Sequence, residues 1–198
     1  MEPLKYERAV SIKNLARTGW MNRGVPPALA ETVAAHTFEV AFLTLLITKA
    51  LVRRGIRVDL GRALTIAIIH DVPEALAGDI VKWSKDRLRG VEKLDEEALE
   101  DLGLGSFNEL MREFKEKTTL EGTIVKLADH LATMLEAKRY LKRGYDVNDI
   151  INGCASTIKE LLNAPALSPH KQEIRGVLQG LLGKTPAWDA SSSAHKNS

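Results

Sequence analysis

Apolar residues along this chain recur at intervals of three and four, and no stretch alternates with the period of two that marks a strand. Leu4, Val10, Ile12 and Leu15 predict a short first helix, followed by a loop reading RTGWMNRGVPP. A long second helix is expected over 31–54, stopped by Gly55. A third runs from Arg62 to about Leu76, with Gly78 as its stop. Pro73 lacks an amide hydrogen and disfavours helix at Val72, so this helix should kink or restart just after Asp71. Residues 81–91 read as a loop. Two shorter helices follow over 92–102 and 106–117, joined by LGLGS, where Ser106 and Glu109 have the spacing of a capping box. A long helix covers 120–142 and ends at Gly144, and two more cover 147–163 and 169–182. The polar, low-complexity residues 184–198 are expected to be disordered. The expectation is one all-α domain over residues 1–183, a compact multi-helix bundle.

A few polar residues interrupt this pattern from the inside. His36 shares a helix face with Val33, Val40, Leu43 and Ile47, so it points inward. Taken alone it fits a core histidine satisfied by one hydrogen bond. In LTIAIIHDVPEALAGDI (64–80), His70 and Asp71 end a segment that is apolar on all sides, which marks a buried helix. A carboxylate there costs several kcal/mol to desolvate unless a cation or metal pairs with it; the alternative is that Asp71 emerges into water where the helix ends. Glu74 follows His70 by four positions and Asp71 by three, which allows all three to one side of the chain. Asp129 lies off the main stripe of its helix (Ile124, Leu127, Ala128, Leu131, Leu135), among the small neighbours Gly122, Val125 and Ala132, and by itself reads as solvated.

Together, two imidazoles and two carboxylates on three helices (His36, His70, Asp71, Asp129) form a ligand set for one divalent metal. Mixed nitrogen and oxygen donors with open positions suit Mn, Fe, Co, Ni or Zn; Ca fits poorly and Mg less well than the transition metals.

Composition narrows the classes. The 198 residues can bury a substantial core. A net charge of +2 gives no bulk attraction toward a nucleic acid polymer. No run approaches 18 uninterrupted apolar residues, and the charged N-terminus (Glu2, Lys5, Glu7, Arg8) lacks a signal-peptide core, so no membrane contact and a cytoplasmic location are expected. Cys154, the single cysteine, can form neither an intramolecular disulfide nor a thiolate metal site.

The pattern His36, His70-Asp71, Asp129 resembles the HD-domain metal-dependent phosphohydrolases, an all-helical superfamily named for its His-Asp doublet. Within it, the chain is most similar to the 5′-deoxynucleotidases of the bacterial YfbR type and their eukaryotic and archaeal relatives. The segments that carry this are RTGW (17–20), ETVAAH (31–36), HDVPEALAGDI (70–80) and KLADHLATMLEA (126–137), in the family's order. The resemblance implies metal ligation by His36, His70, Asp71 and Asp129, with Glu74 near the attacking water or leaving group and Arg17 on the substrate phosphate. It further implies that Trp20 lies against the sugar, that Asp79 completes the pocket, and that the protein is a homodimer acting on deoxyribonucleoside 5′-monophosphates. The spaced Arg17–Trp20 pair departs from the adjacent pair of many bacterial members. Each helper also has a plainer reading: Arg17 as a surface cation, Trp20 as a loop anchor over the core, Asp79 as a cap. Other nucleotide phosphohydrolases or phosphodiesterases of the superfamily, and a non-catalytic helical module that binds a nucleotide or protein, are the competing functions. Ala75, directly after Glu74, departs from the acidic residue usual in guanosine tetraphosphate hydrolases.

Overall fold

The computed structural model describes residues 3–182, apart from the side chains at 82 and 92; the tail expected to be disordered lies outside the described residues. In chain order the helices are α1 (Tyr6–Ala9), α2 (Thr18–Met21), α3 (Val33–Val52), α4 (Leu60–Ile69), α5 (Glu74–Ala77), α6 (Lys82–Lys85), α7 (Val91–Asp101), α8 (Asn108–Glu116), α9 (Leu120–Lys142), α10 (Asn148–Leu161) and α11 (Lys171–Leu182). Single 3₁₀ turns lie at Val10–Lys13, Gly105–Phe107 and Ser168–His170. The structure is all-α, and among the described residues the one extended pairing is a bridge between Ala16 and Thr32. That bridge holds the RTGW loop against the start of α3.

Side-chain caps set the helix starts. Thr32 accepts a hydrogen bond from the Ala35 amide at 3.2 Å, so α3 begins at Val33 rather than Glu31. Asp59 accepts from the Arg62 amide at 2.9 Å, which starts α4 earlier than expected. The expected break after Asp71 is present: α4 ends at Ile69, and the chain restarts as α5 at Glu74 with Pro73 as its cap residue. Gly78 ends α5 at a φ of 75°, a conformation that strains any residue carrying a Cβ, and so turns Asp79 back toward the site.

Four expectations fail locally. The predicted first helix is one α-turn followed by a 3₁₀ turn, and the loops expected over 17–27 and 81–91 contain the helical turns α2 and α6. The capping box does not form. Ser106 lies within a 3₁₀ turn, where its backbone is not extended as a cap requires, and α8 begins at Asn108 with no side-chain cap.

α9 is the central helix and packs against α10, α3, α4 and α8. Val40, Leu43, Ile47, Ile66, Leu127, Leu131, Ile158 and Leu178 are among the buried residues of the main core. A smaller cluster of Trp20, Val25, Ala30, Ala137, Tyr140 and Val147 anchors the loop before α3. α3 is long and apolar enough to cross a membrane by length and composition, with a mean hydropathy of 1.5. Here it packs against α9 and α4 and carries the buried His36. Close packing of α8 on α9 depends on Gly122, where a Cβ would come within 2.7 Å of the Glu113 carbonyl oxygen. Arg62 on α4 forks onto the buried Glu113, donating from Nε at 2.9 Å and from Nη2, and so ties α4 to the same junction.

Candidate active site

Three helices deliver the ligand set to one place. His36, on the core face of α3, has no solvent exposure. His70 and Asp71 leave the end of α4, and Asp129 comes from the middle of α9. One nitrogen of each histidine and one Asp71 carboxylate oxygen all lie within 4.8 Å of one another. Asp129 joins through His36, whose Nε2 is 3.1 Å from its Oδ1 and 3.7 Å from Asp71 Oδ2. The reading of Asp129 as a solvated residue is therefore corrected. Its small neighbours Gly122, Val125 and Ala132 are buried and let the adjoining helices close over that face.

The donor set fits a metal. His70 Nδ1 is 2.8 Å from the Ala67 carbonyl, which can only accept, so Nδ1 carries the hydrogen and Nε2 presents its lone pair. That Nε2 is buried without a hydrogen bond; Asp71 Oδ2 lies 3.2 Å away but is not aligned for one. An orphaned imidazole nitrogen facing carboxylates is the arrangement a divalent cation satisfies. At Asp71, Asp129 and His70 burial resists charge, yet attraction prevails. Asp71 stays well below the usual carboxylate range because His70 and His36 outweigh its desolvation. Asp129 does so through Lys126, whose Nζ is 3.1 Å from Oδ2, and through His36. His70 is raised, since Asp71 and Asp129 overcome its burial.

Arg17 reaches the same centre. Its Nη1 donates to His36 Nδ1 at 3.0 Å, lies 3.4 Å from Thr133 Oγ1, and pairs with Glu31 Oε2 at 3.5 Å. The two members of that ion pair respond differently to burial. Arg17 is raised because Asp71, Glu31 and Asp129 outweigh desolvation, whereas desolvation wins at Glu31 and raises its carboxyl. Arg17 is thus a half-buried cation directed at the ligand cluster and not a surface residue.

Glu74 sits on α5 with Oε2 buried and lacking a hydrogen bond. Burial, then Asp71 and Asp79, push its carboxyl up to about 9. Asp79 accepts the Thr18 amide on Oδ2, and its carbonyl accepts the Thr18 hydroxyl at 2.8 Å. It therefore ties the turn after α5 to the loop that carries Arg17.

Trp20 is placed differently from the expectation. It is 2% exposed, its ring lies 5.1 Å from that of Tyr140, and its Nε1 donates to Glu31 Oε2 at 3.1 Å. So little ring surface is open that it serves as the loop anchor over the small core, holding Glu31 and through it Arg17. Sequence reasoning assigned no role to Glu31 or Lys126. Lys126 was legible, since it precedes Asp129 by three helical positions; Glu31 was not, because its partners come from a loop.

The HD-domain family matches residues 9–160 of the chain. Similar curated proteins include the 5′-deoxynucleotidase HDDC2 of Dictyostelium discoideum, 27% identical over 150 residues, covering 71% of this chain and 77% of that protein. The Mus musculus HDDC2 is 29% identical over 146 residues, 69% of each chain. Among solved structures, a conserved hypothetical protein from Pyrococcus furiosus superposes with a TM-score of 0.74 at 33% identity, covering 86% of this chain and 97% of its own. A Pyrococcus horikoshii protein gives 0.74 at 31% identity, with 87% and 98% covered. With the family match spanning most of the chain and the His-Asp doublet at the centre of the cluster, this chain belongs to the HD-domain family.

Proposed function

We propose that this chain is a metal-dependent phosphohydrolase that removes the 5′-phosphate of deoxyribonucleoside 5′-monophosphates, giving deoxynucleoside and phosphate. The observation that carries the reading is the convergence of His36, His70, Asp71 and Asp129 with two groups a structural metal would not need, Arg17 and Glu74. The curated relatives named 5′-deoxynucleotidase supply the substrate class.

In this reading His36, His70, Asp71 and Asp129 hold one divalent transition metal: Mn, Co, Fe, Ni or Zn. When bound, the ion supplies Lewis acidity toward the phosphate and toward water. Arg17 releases His36 and forks onto the phosphate oxygens, a planar geometry that an ammonium lacks. Glu74 carries the transferred proton: as the water oxygen bonds to phosphorus and the bond from phosphorus to the 5′-oxygen breaks, the departing oxygen takes a proton from Glu74, and the proton given up by the water returns to the Glu74 carboxylate. Asp79 and Trp20 position the Arg17 loop. Residues 1–183 act as one domain, consistent with a main core that draws on helices from α3 to α11. A homodimer is the proposed assembly, supported by the exposed and stacked Phe38 and Phe42 on α3. The substrate is a small nucleotide, with no nucleic acid polymer or membrane as partner, and the location is cytoplasmic.

The test is phosphate release from a panel of ribo- and deoxynucleoside mono-, di- and triphosphates with Mn, Co, Mg or Zn. Release from dAMP or dGMP that requires metal and is lost in both His70→Ala and Asp71→Ala, with the fold intact by circular dichroism, is expected. Full activity in either variant, or no release from any monophosphate, overturns the reading.

A further inference from the structure

α6 and the turns after it carry Trp83, 67% exposed, and Leu88, 52% exposed. Large apolar groups in the open are costly unless a ligand or partner covers them. Trp83 is also held in place: the Arg87 guanidinium lies over its ring at 4.2 Å from the centroid, and Arg87 Nη1 donates to the Trp83 carbonyl at 2.9 Å. One face of the indole is therefore backed by a cation, and the exposure belongs to the rest of the ring.

Its position along the chain bounds its distance from the site. Trp83 follows Asp79 by four residues, a span of at most about 14 Å and shorter once α6 turns. Asp79 is bonded to Thr18, the neighbour of Arg17. Two residues beyond the indole, Lys85 acts on Glu74, opposing the rise of its carboxyl. An aromatic plate backed by a cation is thus tethered, by at most about 14 Å of chain, to Asp79, the residue bonded to the neighbour of Arg17.

We propose that Trp83 is the platform for the nucleobase, which stacks on the indole face opposite Arg87 while the phosphate lies at Arg17. This rests on the nucleotide reading of the site. Because every base has a π-face, such a platform accepts all four bases, and purines more strongly through their larger overlap.

The experiment compares kcat/KM for dAMP with kcat/KM for 2-deoxyribose 5-phosphate, which has no base. In Trp83→Ala the ratio of the two falls about 5- to 150-fold, the range of base–aromatic stacking, and Trp83→Phe restores most of it. An unchanged ratio, or equal loss on both substrates, overturns the platform and marks Trp83 as structural. If the wild-type protein cleaves neither compound, the nucleotidase reading has failed, and the platform is judged separately by quenching of indole emission with deoxyadenosine. Quenching that disappears in Trp83→Phe upholds it; no quenching in the wild type overturns it.

Discussion

In the metal-free protein the Glu74 carboxyl, pushed up to about 9 by burial and by Asp71 and Asp79, keeps its proton at neutral pH. Its unfolded value is near 4.5, so between these pH values the native state binds a proton that the unfolded chain has lost. Stability of the metal-free protein from this group is complete below about 4.5 and declines as pH rises toward about 9. Glu74→Gln keeps the shape and removes the titration, so urea unfolding across that range should show a flatter pH dependence. The same variant should lose roughly 10²- to 10⁴-fold in kcat on dAMP while still taking up metal, as expected for a lost proton donor. Trp20 makes a contrasting residue-level case. Trp20→Phe preserves most of the packing but leaves the buried Glu31 without its indole donor. A loss of about 1–3 kcal/mol by thermal or urea unfolding is expected, with a raised KM because Glu31 no longer steadies Arg17. Of these placements, that of Glu74 beside His70 and Asp71 could be read from its spacing to them. That of Trp20 could not, because a lone Trp in a loop does not reveal which side of the loop faces the core.

Among the helices, the joint between α8 and α9 is the tightest described for a glycine. Gly122→Ala would place a methyl against the Glu113 backbone, which cannot rotate away. A cost of about 1–3 kcal/mol and a lowered Tm are expected. The fork from Arg62 holds Glu113 below its ordinary value of 4.5. Here the sign is opposite to that of Glu74: the contribution is present above about 4.5 and is lost as pH falls through the lower folded value. Arg62→Ala should therefore weaken the fall in stability on acidification, read from Tm across the acid range. The long helices and their order were legible from periodicity, because they present continuous apolar faces, whereas the short turns α2, α5 and α6 have too few residues to show one. Their first residues were less so, since Thr32 and Asp59 cap through local geometry that a pattern of apolar positions does not encode. The capping box at Ser106 misled for the same reason: the right residues at the right spacing lie on a backbone already turned into 3₁₀ form.

For the molecule as a whole, the metal cluster joins α3, α4 and α9, so a bound ion would tie together helices far apart in sequence. Saturating Mn or Co is expected to raise Tm, with about 2.7 kcal/mol of added stability at a hundredfold excess over Kd, and chelation to reverse it. The shift should vanish in His70→Ala. Spacing along the chain is enough to establish an all-helical protein and to mark His36, His70 and Asp71 as polar groups in apolar surroundings, because apolar periodicity and the cost of burying charge are local properties; Asp129 joined them only through the family pattern. Spacing also places Pro73 and Gly78 where one helix must stop and another short one begin. Folding in three dimensions decides the rest. It turns Asp129 inward, leaves His70 Nε2 without a partner, seats Trp20 beneath the site instead of in it, and raises Glu74, because each outcome depends on which distant groups close over that side chain and exclude water.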